Sequence, residues 1–310
     1  MGLLIDGSWQ DRWYATEKSG GQFVRPSSQF RHRLGGKHFP FDGGRYHLYV
    51  ARACPWAHRT LIYRALQGLT DAVDVSIVSP LMLSEGWVFD DSHPDNLYRA
   101  THLHQLYTRA NPQYSGRVTV PLLWDTLSGT AVSNESSEII RDFEAWGGRV
   151  LRPAAMAETI DEVNAWIYED INNGVYKCGF ATSQTAYDQA VTALFRGLDR
   201  LDELLADQAY LAGSVVSEAD WRLLPTLLRF DTVYVTHFKC DHKRLVDYPN
   251  LWDYTRQLAQ VPGILDTFDL METRLHYFAS HETVNPHRIV SRGPDVDFTS
   301  PHARGPVVWA

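Results

Sequence analysis

Apolar residues crowd "YHLYVA" (46–51), a composition that predicts a β-strand, and the period then changes. Across "HRTLIYRALQGL" (58–69), Leu61, Ala65 and Leu69 recur at helical spacing and Gly68 supplies a stop. "VDVSIVS" (73–79) predicts a second strand, and "RVTVPLLWD" (117–125) predicts strand, proline, strand. After an "LSG" turn, "AVSNESSEIIRDF" (131–143) predicts a strand end running into a helix. Between these elements, Pro80 to about Gly116 is polar and aromatic with no strand pattern. It is too long for an ordinary connection, and long loops in compact domains are commonly functional.

The second half changes character. "ETIDEVNAWIYEDINNG" places Ile160, Val163, Ile167 and Ile171 on one helical face and stops at Asn-Gly. "TSQTAYDQAVTALFRGLDRLDELLAD" does the same with Ala190, Leu194, Leu198, Leu201 and Leu205. "SEADWRLLPTLLRF" opens with Ser217 and Asp220, close to a capping box, and "YPNLWDYTRQLAQVPGI" is a fourth helix. The expected organisation is an irregular N-terminal extension (1–44) that wraps the body and an α/β domain (45–150) with an insertion at about 80–116. An all-helical domain (155–278) and a tail rich in Pro, Gly and Arg (279–310) follow. No internal repeat is visible.

Composition narrows the function. The 310 residues are 44% hydrophobic and 21% charged, which is globular, and the net charge of −8 argues against a nucleic-acid surface. No apolar run approaches a bilayer span. Asp6 arrives too early for a signal-peptide core and also breaks the myristoylation pattern, so the expectation is a cytoplasmic protein without a membrane partner. The three cysteines, Cys54, Cys178 and Cys240, make no disulfide framework and would be free thiols in a reducing compartment.

Of these, Cys54 stands where a strand ends and a helix begins, in "RACPWAHR" (52–59). Backbone N–H groups and the helix dipole favour a thiolate there, and Pro55 fits the first turn because its missing N–H is no loss. Ala57 occupies the place of the second cysteine of a C-x-x-C pair. A mixed disulfide on Cys54 would therefore need an outside thiol to release it. The Val120-Pro121 step is a candidate cis-proline turn, with an edge-strand proline as the plain alternative. In "SNESSEII", Ser133 or Asn134 can cap a helix whose first turn holds Glu135 and Ser136. Such a turn binds a carboxylate while Glu135 holds an ammonium, the two charges of a γ-glutamyl group; a plain helix cap is the alternative. "HFKCDH" (His237, Cys240, His242) and "HLH" (His102, His104) contain zinc-ligand types, but the spacing matches no common finger, and no metal is expected.

Six stretches in order, "CPWAHRTLI", "SGRVTVPLLWD", "VSNESSEIIR", "NNGVYKCGFATSQ", "VYVTHFKCD" and "HYFASHETVNP", resemble the glutathionyl-hydroquinone reductases, the xi class of glutathione transferases. The resemblance runs over nearly the whole chain. It implies the glutathione transferase fold, an α/β thioredoxin-like N-terminal domain plus an all-α C-terminal domain. It also implies reduction of S-glutathionyl-hydroquinones through a Cys54–glutathione disulfide, with glutathione as co-substrate, no covalently bound cofactor, and a homodimer. Carried over by residue, it makes Cys54 the nucleophile and places Trp87, Arg117, Val120, Glu135 and Ser136 on glutathione. Tyr176, Tyr234 and Tyr277 then face the hydroquinone, with Tyr176 catalytic. A departing aromatic group needs proton donors, and a phenol offers a donor together with an apolar face; a half-buried structural tyrosine is the plain alternative. Two other readings are an omega-like thioltransferase or dehydroascorbate reductase, and a non-catalytic module of the same fold.

Overall fold

The computed structural model describes residues 2–310. Its contacts gather the chain into two units that are not consecutive in sequence. The first holds the chain up to Tyr14, Arg25–Arg149 and Thr267–Ser280; the second holds Ala15–Val24, Val150–Asp266 and His281–Ala310.

The extension is more ordered than its composition suggests. Strands β1 (Leu3–Ile5) and β2 (Ser8–Gln10) form a hairpin around Asp6-Gly7, both at positive φ (46° and 76°). An Asp-Gly pair between apolar stretches is a strong hairpin signal, so the strands were legible in "LLIDGSWQ". Gly7 is required twice over, since a Cβ there would stand 2.0 Å from the Pro112 carbonyl oxygen. Further along, the Asn134 N–H donates to Phe30 O and His32 N–H to Val132 O, so the extension runs beside the sheet as an extra edge. Arg31 pairs with Glu138 and Arg33 with Asp142.

The central sheet of the first unit has four strands: β3 (Tyr46–Val50), β4 (Val73–Ile77), β6 (Leu122–Asp125) and β7 (Thr130–Ser133), in the order β4-β3-β6-β7. β3 pairs parallel with β4 across helix α1 (Pro55–Leu66) and antiparallel with β6, which pairs antiparallel with β7. Every residue of β3 is buried, as expected of a strand covered on both faces. α1 ends before Gly68 at φ 67°. Its buried face is Ala57, His58, Ile62 and Tyr63 rather than the expected Leu61 and Ala65, which are half-buried. His58 is drawn inward by a 2.8 Å hydrogen bond to Thr267 and by the Phe268 ring stacked on it at 5.8 Å. Periodicity in the helix alone does not contain these distant partners.

Within 80–116, expected to be a polar and aromatic insertion without strand pattern, a helix α2 (Leu103–Ala110) buries Leu103, Leu106 and Tyr107, an i, i+3, i+4 stripe. The preceding loop is organised by buried Asp95, which accepts from Leu97, Tyr98 and Ala100 N–H and from the Tyr49 hydroxyl. A short strand β5 (Gly116–Arg117) joins β1. Helix α3 (Ser136–Trp146) completes this part of the unit.

The second unit is helical: α4 (Ala157–Ile167), α5 (Gly174–Gly179), α6 (Gln184–Asp207), α7 (Glu218–Arg229), α8 (Val235–His237) and α9 (Pro249–Ala259). The expected stripes are buried, Ile160, Val163, Ile167 and Ile171 on one face and Ala190, Leu194, Leu198, Leu201 and Leu205 on the other. The Ser217–Asp220 capping box is present, and buried Asp220 also accepts from Leu211 N–H and the Tyr254 hydroxyl. Asn173-Gly174 does not stop the first helix. The chain continues through a π turn at Tyr168–Asn172 into α5, and a second π turn, Phe230–Tyr234, links α7 to α8. Ala15–Val24 belongs here because Thr16 hydrogen-bonds Thr182, and Gly20 and Gly21 carbonyls accept from Ser183 and Thr182. Helix α10 (Leu270–Ser280), expected in the helical domain, belongs instead to the first unit: the Met82 N–H donates to Ser280 and His276 hydrogen-bonds the Pro80 carbonyl.

Candidate active site

Strand order brings four candidate residues of the first unit to one end of its sheet. Tyr49 pairs with Leu122, so the chain leaving β3 passes beside the chain entering β6. Leu123 pairs with Ser133, so β7 ends at the same level and delivers the start of α3 there. Cys54, Val120, Glu135 and Ser136 are thus gathered by backbone register.

Cys54 is the N-cap residue of α1, with extended backbone (φ −79°, ψ 119°) and Pro55 in the first turn. Its side chain is half-buried, and Sγ lies 3.7 Å from the Val120 carbonyl oxygen. The Val120-Pro121 bond is cis. The Arg25 and Arg59 guanidinium groups lie 4.8 Å and 4.6 Å from the centre of the Trp56 ring, two residues from Cys54. Arg25 comes from the extension, a long-range partner that no local motif announces. The other cysteines are buried in the second unit. Burial, with the neighbouring Cys178 thiol, pushes the Cys240 thiol well above its ordinary range. We therefore expect iodoacetamide to modify Cys54 alone in the native protein. Peptide mass mapping reads this, and comparable labelling of Cys178 or Cys240 before unfolding would contradict it.

Glu135, not Ser133 or Asn134, is the N-cap residue of α3. Its carboxylate accepts from the Ser137 N–H at 3.1 Å and hydroxyl at 2.9 Å, and from the Ser28 hydroxyl at 3.1 Å. Asn134 is turned inward: its side-chain oxygen accepts from Phe30 N–H and its amide donates to the Tyr107 hydroxyl. Tyr107 in turn donates to the Thr119 carbonyl, tying the turn before Pro121 to the start of α3. Ser136 is buried in the first turn of α3, as expected, beside N–H groups that favour an anion.

Trp87 is buried, with its ring stacked on His276 of α10 at 4.8 Å. Arg117 is turned to the extension: its guanidinium donates to the Arg12 and Trp13 carbonyls and lies 4.2 Å from the Tyr14 ring centre. These partners make it an anchor of the N-terminal arm. The structure brings two of the three tyrosines together. In the second unit Tyr176 and Tyr234 have ring centroids 6.2 Å apart, and Phe238 lies 5.4 Å and 5.5 Å from them, stacked on Tyr234 within 4°. Gly179 makes room, since a Cβ there would meet Phe238 at 2.0 Å. Tyr277 is a buried residue of α10, in the first unit with Cys54. His237, Cys240 and His242 do not assemble a metal cluster among the described residues; His237 hydrogen-bonds His281 at 3.0 Å.

A thioredoxin-like sheet with a cis-proline beside an N-cap cysteine, together with a helical unit, defines a glutathione transferase. The family descriptions agree: the glutathione S-transferase N-terminal domain matches residues 53–146 and the C-terminal domain residues 184–257. Glutathionyl-hydroquinone reductase YqjG of Escherichia coli K12 is 52% identical, covering 98% of this chain and 98% of its own. PcpF of Sphingobium chlorophenolicum, of the same name, is 49% identical over 95% of this chain and 96% of its own. The glutathione-bound structure of YqjG superposes with a TM-score of 0.88 at 49% identity, over 98% of this chain and 99% of that one. The chain belongs to the glutathionyl-hydroquinone reductases, the xi class of the glutathione transferases. No helix among the described residues is long and apolar enough to cross a membrane.

Proposed function

We infer that the protein reduces S-glutathionyl-hydroquinones to hydroquinones with glutathione as co-substrate and Cys54 as nucleophile. The observation that carries the mechanism is the single half-buried thiol at a helix start, 3.7 Å from the carbonyl of Val120 in a cis-Val-Pro turn. Cys54 thiolate attacks the sulfur of the substrate's glutathionyl group. The sulfur–aryl bond breaks, its electron pair goes to the aryl carbon, and a proton completes the hydroquinone. A second glutathione thiolate attacks the glutathionyl sulfur of the mixed disulfide, frees Cys54 and leaves as glutathione disulfide. The net reaction takes one glutathione and one conjugate to one hydroquinone and one disulfide.

Glutathione is held by the Val120 backbone, by Glu135 and Ser136 at the start of α3, and by Trp87. Arg117 acts by fixing the arm that carries Trp13 and Tyr14. Tyr176, Tyr234 and Tyr277 serve the aromatic group. The working form is a cytoplasmic homodimer. The test is mass spectrometry of products from a glutathionyl-hydroquinone and glutathione: equal amounts of free hydroquinone and glutathione disulfide are expected. An unchanged conjugate beside active reduction of dehydroascorbate would favour the omega-like reading, which the name of a fission-yeast relative, omega-like 2 at 43% identity, keeps in view.

A further inference from the structure

Two histidines and a glutamate that the reductase chemistry does not use stand together at the start of α2. One ring nitrogen each of His102 and His104 and one carboxylate oxygen of Glu85 all lie within 4.8 Å of one another. Against the expectation from the sequence that the His102–His104 pair holds no metal, we propose that Glu85, His102 and His104 form a binding site for a divalent late transition metal of the zinc type.

The arrangement follows from local structure. His102 is the N-cap residue of α2, with extended backbone, and His104 lies in the first turn. Glu85 sits in a tight turn closed by a hydrogen bond from the Gly86 N–H to the Leu83 carbonyl. A bridge between Val88 and His102 brings that turn beside the helix start. The turn is also held from outside, because the Trp9 indole N–H donates to the Ser84 carbonyl at 2.9 Å.

Packing holds both imidazoles, and an outer hydrogen bond also holds His102. The Trp9 ring stacks on His104 at 4.8 Å, and His104 stacks on His102 at 5.0 Å, so the ring planes are constrained. His102 Nδ1 is 2.8 Å from the Thr101 hydroxyl, and Nε2 is 4.0 Å from a Glu85 carboxylate oxygen. Held at Nδ1 by the Thr101 hydroxyl, the ring turns Nε2 toward the carboxylate. This outer hydrogen bond is the usual means of orienting a ligating histidine. His104 Nε2 is buried and has no hydrogen-bond partner among the described residues. A buried polar atom without a partner is costly, and a metal ion bound through Nε2 would satisfy it.

The donor set selects the metal. Two neutral imidazoles and one carboxylate suit zinc and its neighbours and leave a fourth position for water. Bonds of about 2 Å require the ligand atoms to draw roughly 1 Å closer than they stand. Glu85, whose side chain is 56% exposed, can move toward the two imidazoles. A bound ion would join the 83–86 turn to α2 and stiffen the segment on either side of Trp87.

The test uses the full chain with Cys54→Ser, which removes the one half-exposed thiol, and zinc chloride as the probe. Calorimetry is expected to show one site per chain. His102→Ala and His104→Ala should each weaken it by about 100-fold, the top of the range for losing only an outer-shell partner. Cobalt substituted at the site should give the absorption of tetrahedral nitrogen and oxygen coordination without a thiolate band. Because the histidines also stack, Glu85→Gln on the exposed turn is the control that leaves packing intact; it should weaken binding about tenfold, and zinc should raise the Tm of C54S but not of C54S/H104A. Absence of saturable binding, or affinity unchanged in H102A, H104A and E85Q, overturns the proposal.

Discussion

Cys54→Ser is expected to lower hydroquinone formation by about 10³-fold or more while the protein still folds and binds glutathione. A thousandfold loss is about 4 kcal/mol of barrier. A serine hydroxyl is a far weaker nucleophile than a thiolate, and even as an alkoxide it forms no disulfide, so the covalent intermediate cannot form. The substitution is nearly isosteric at a half-buried N-cap position, where serine is a favoured residue, so stability should hold or rise slightly. The readout is a single-turnover assay with intact-protein mass spectrometry. The wild type gains the mass of one glutathionyl group after exposure to conjugate alone, and C54S gains none. Sustained turnover in C54S, or glutathionylation of Cys178 or Cys240, would remove Cys54 from the mechanism.

Tyr176→Phe is expected to slow the first half of the cycle by about 10²–10³-fold, within the usual contribution of a positioned general acid. The two halves differ in what leaves. In the first an aryl group departs with an electron pair and needs a proton; in the second the leaving group is the Cys54 thiolate. A proton donor to the aromatic group therefore affects only the first. Tyr176 sits with Phe23, Phe180, Tyr234 and Phe238 in the second unit, and losing one oxygen leaves that ring packing in place. Rapid mixing should show slow hydroquinone release followed by decay of the mixed disulfide at the wild-type rate. Equal slowing of both halves would indicate that Tyr176 acts through packing. An unchanged first half would assign the proton to Tyr234, to Tyr277 or to water.

Legibility in the sequence followed the range of the forces involved. Strand and helix periods, the capping box of Ser217 and Asp220, the Val-Pro turn and the strand–Cys-Pro–helix setting of Cys54 all act within a few residues. Each could be read before the structure. The hairpin at Asp6-Gly7 and the stripe of α2 were local too and were legible, but the weight of Gly, Arg and aromatic residues around them concealed the pattern. In α1, by contrast, local periodicity predicted the helix but not its buried face, because His58 is drawn in by Thr267 and Phe268, more than two hundred positions away.

The site divides in the same way. The sequence by itself determined the residue types that carry the chemistry: a cysteine at a helix start, an acid and a serine opening another helix, and tyrosines spaced through the second half. Only the tertiary structure decided their company. Strand pairing placed Cys54 beside Val120, Glu135 took the Ser28 hydroxyl, and Arg117 was turned to the Arg12 and Trp13 carbonyls. It also grouped α10, with Tyr277, in the unit of Cys54, and the Ala15–Val24 segment in the helical one. Backbone propensity and capping are decided by neighbours along the chain, whereas a guanidinium or carboxylate takes whichever partner the fold delivers, and that partner has no fixed offset in sequence.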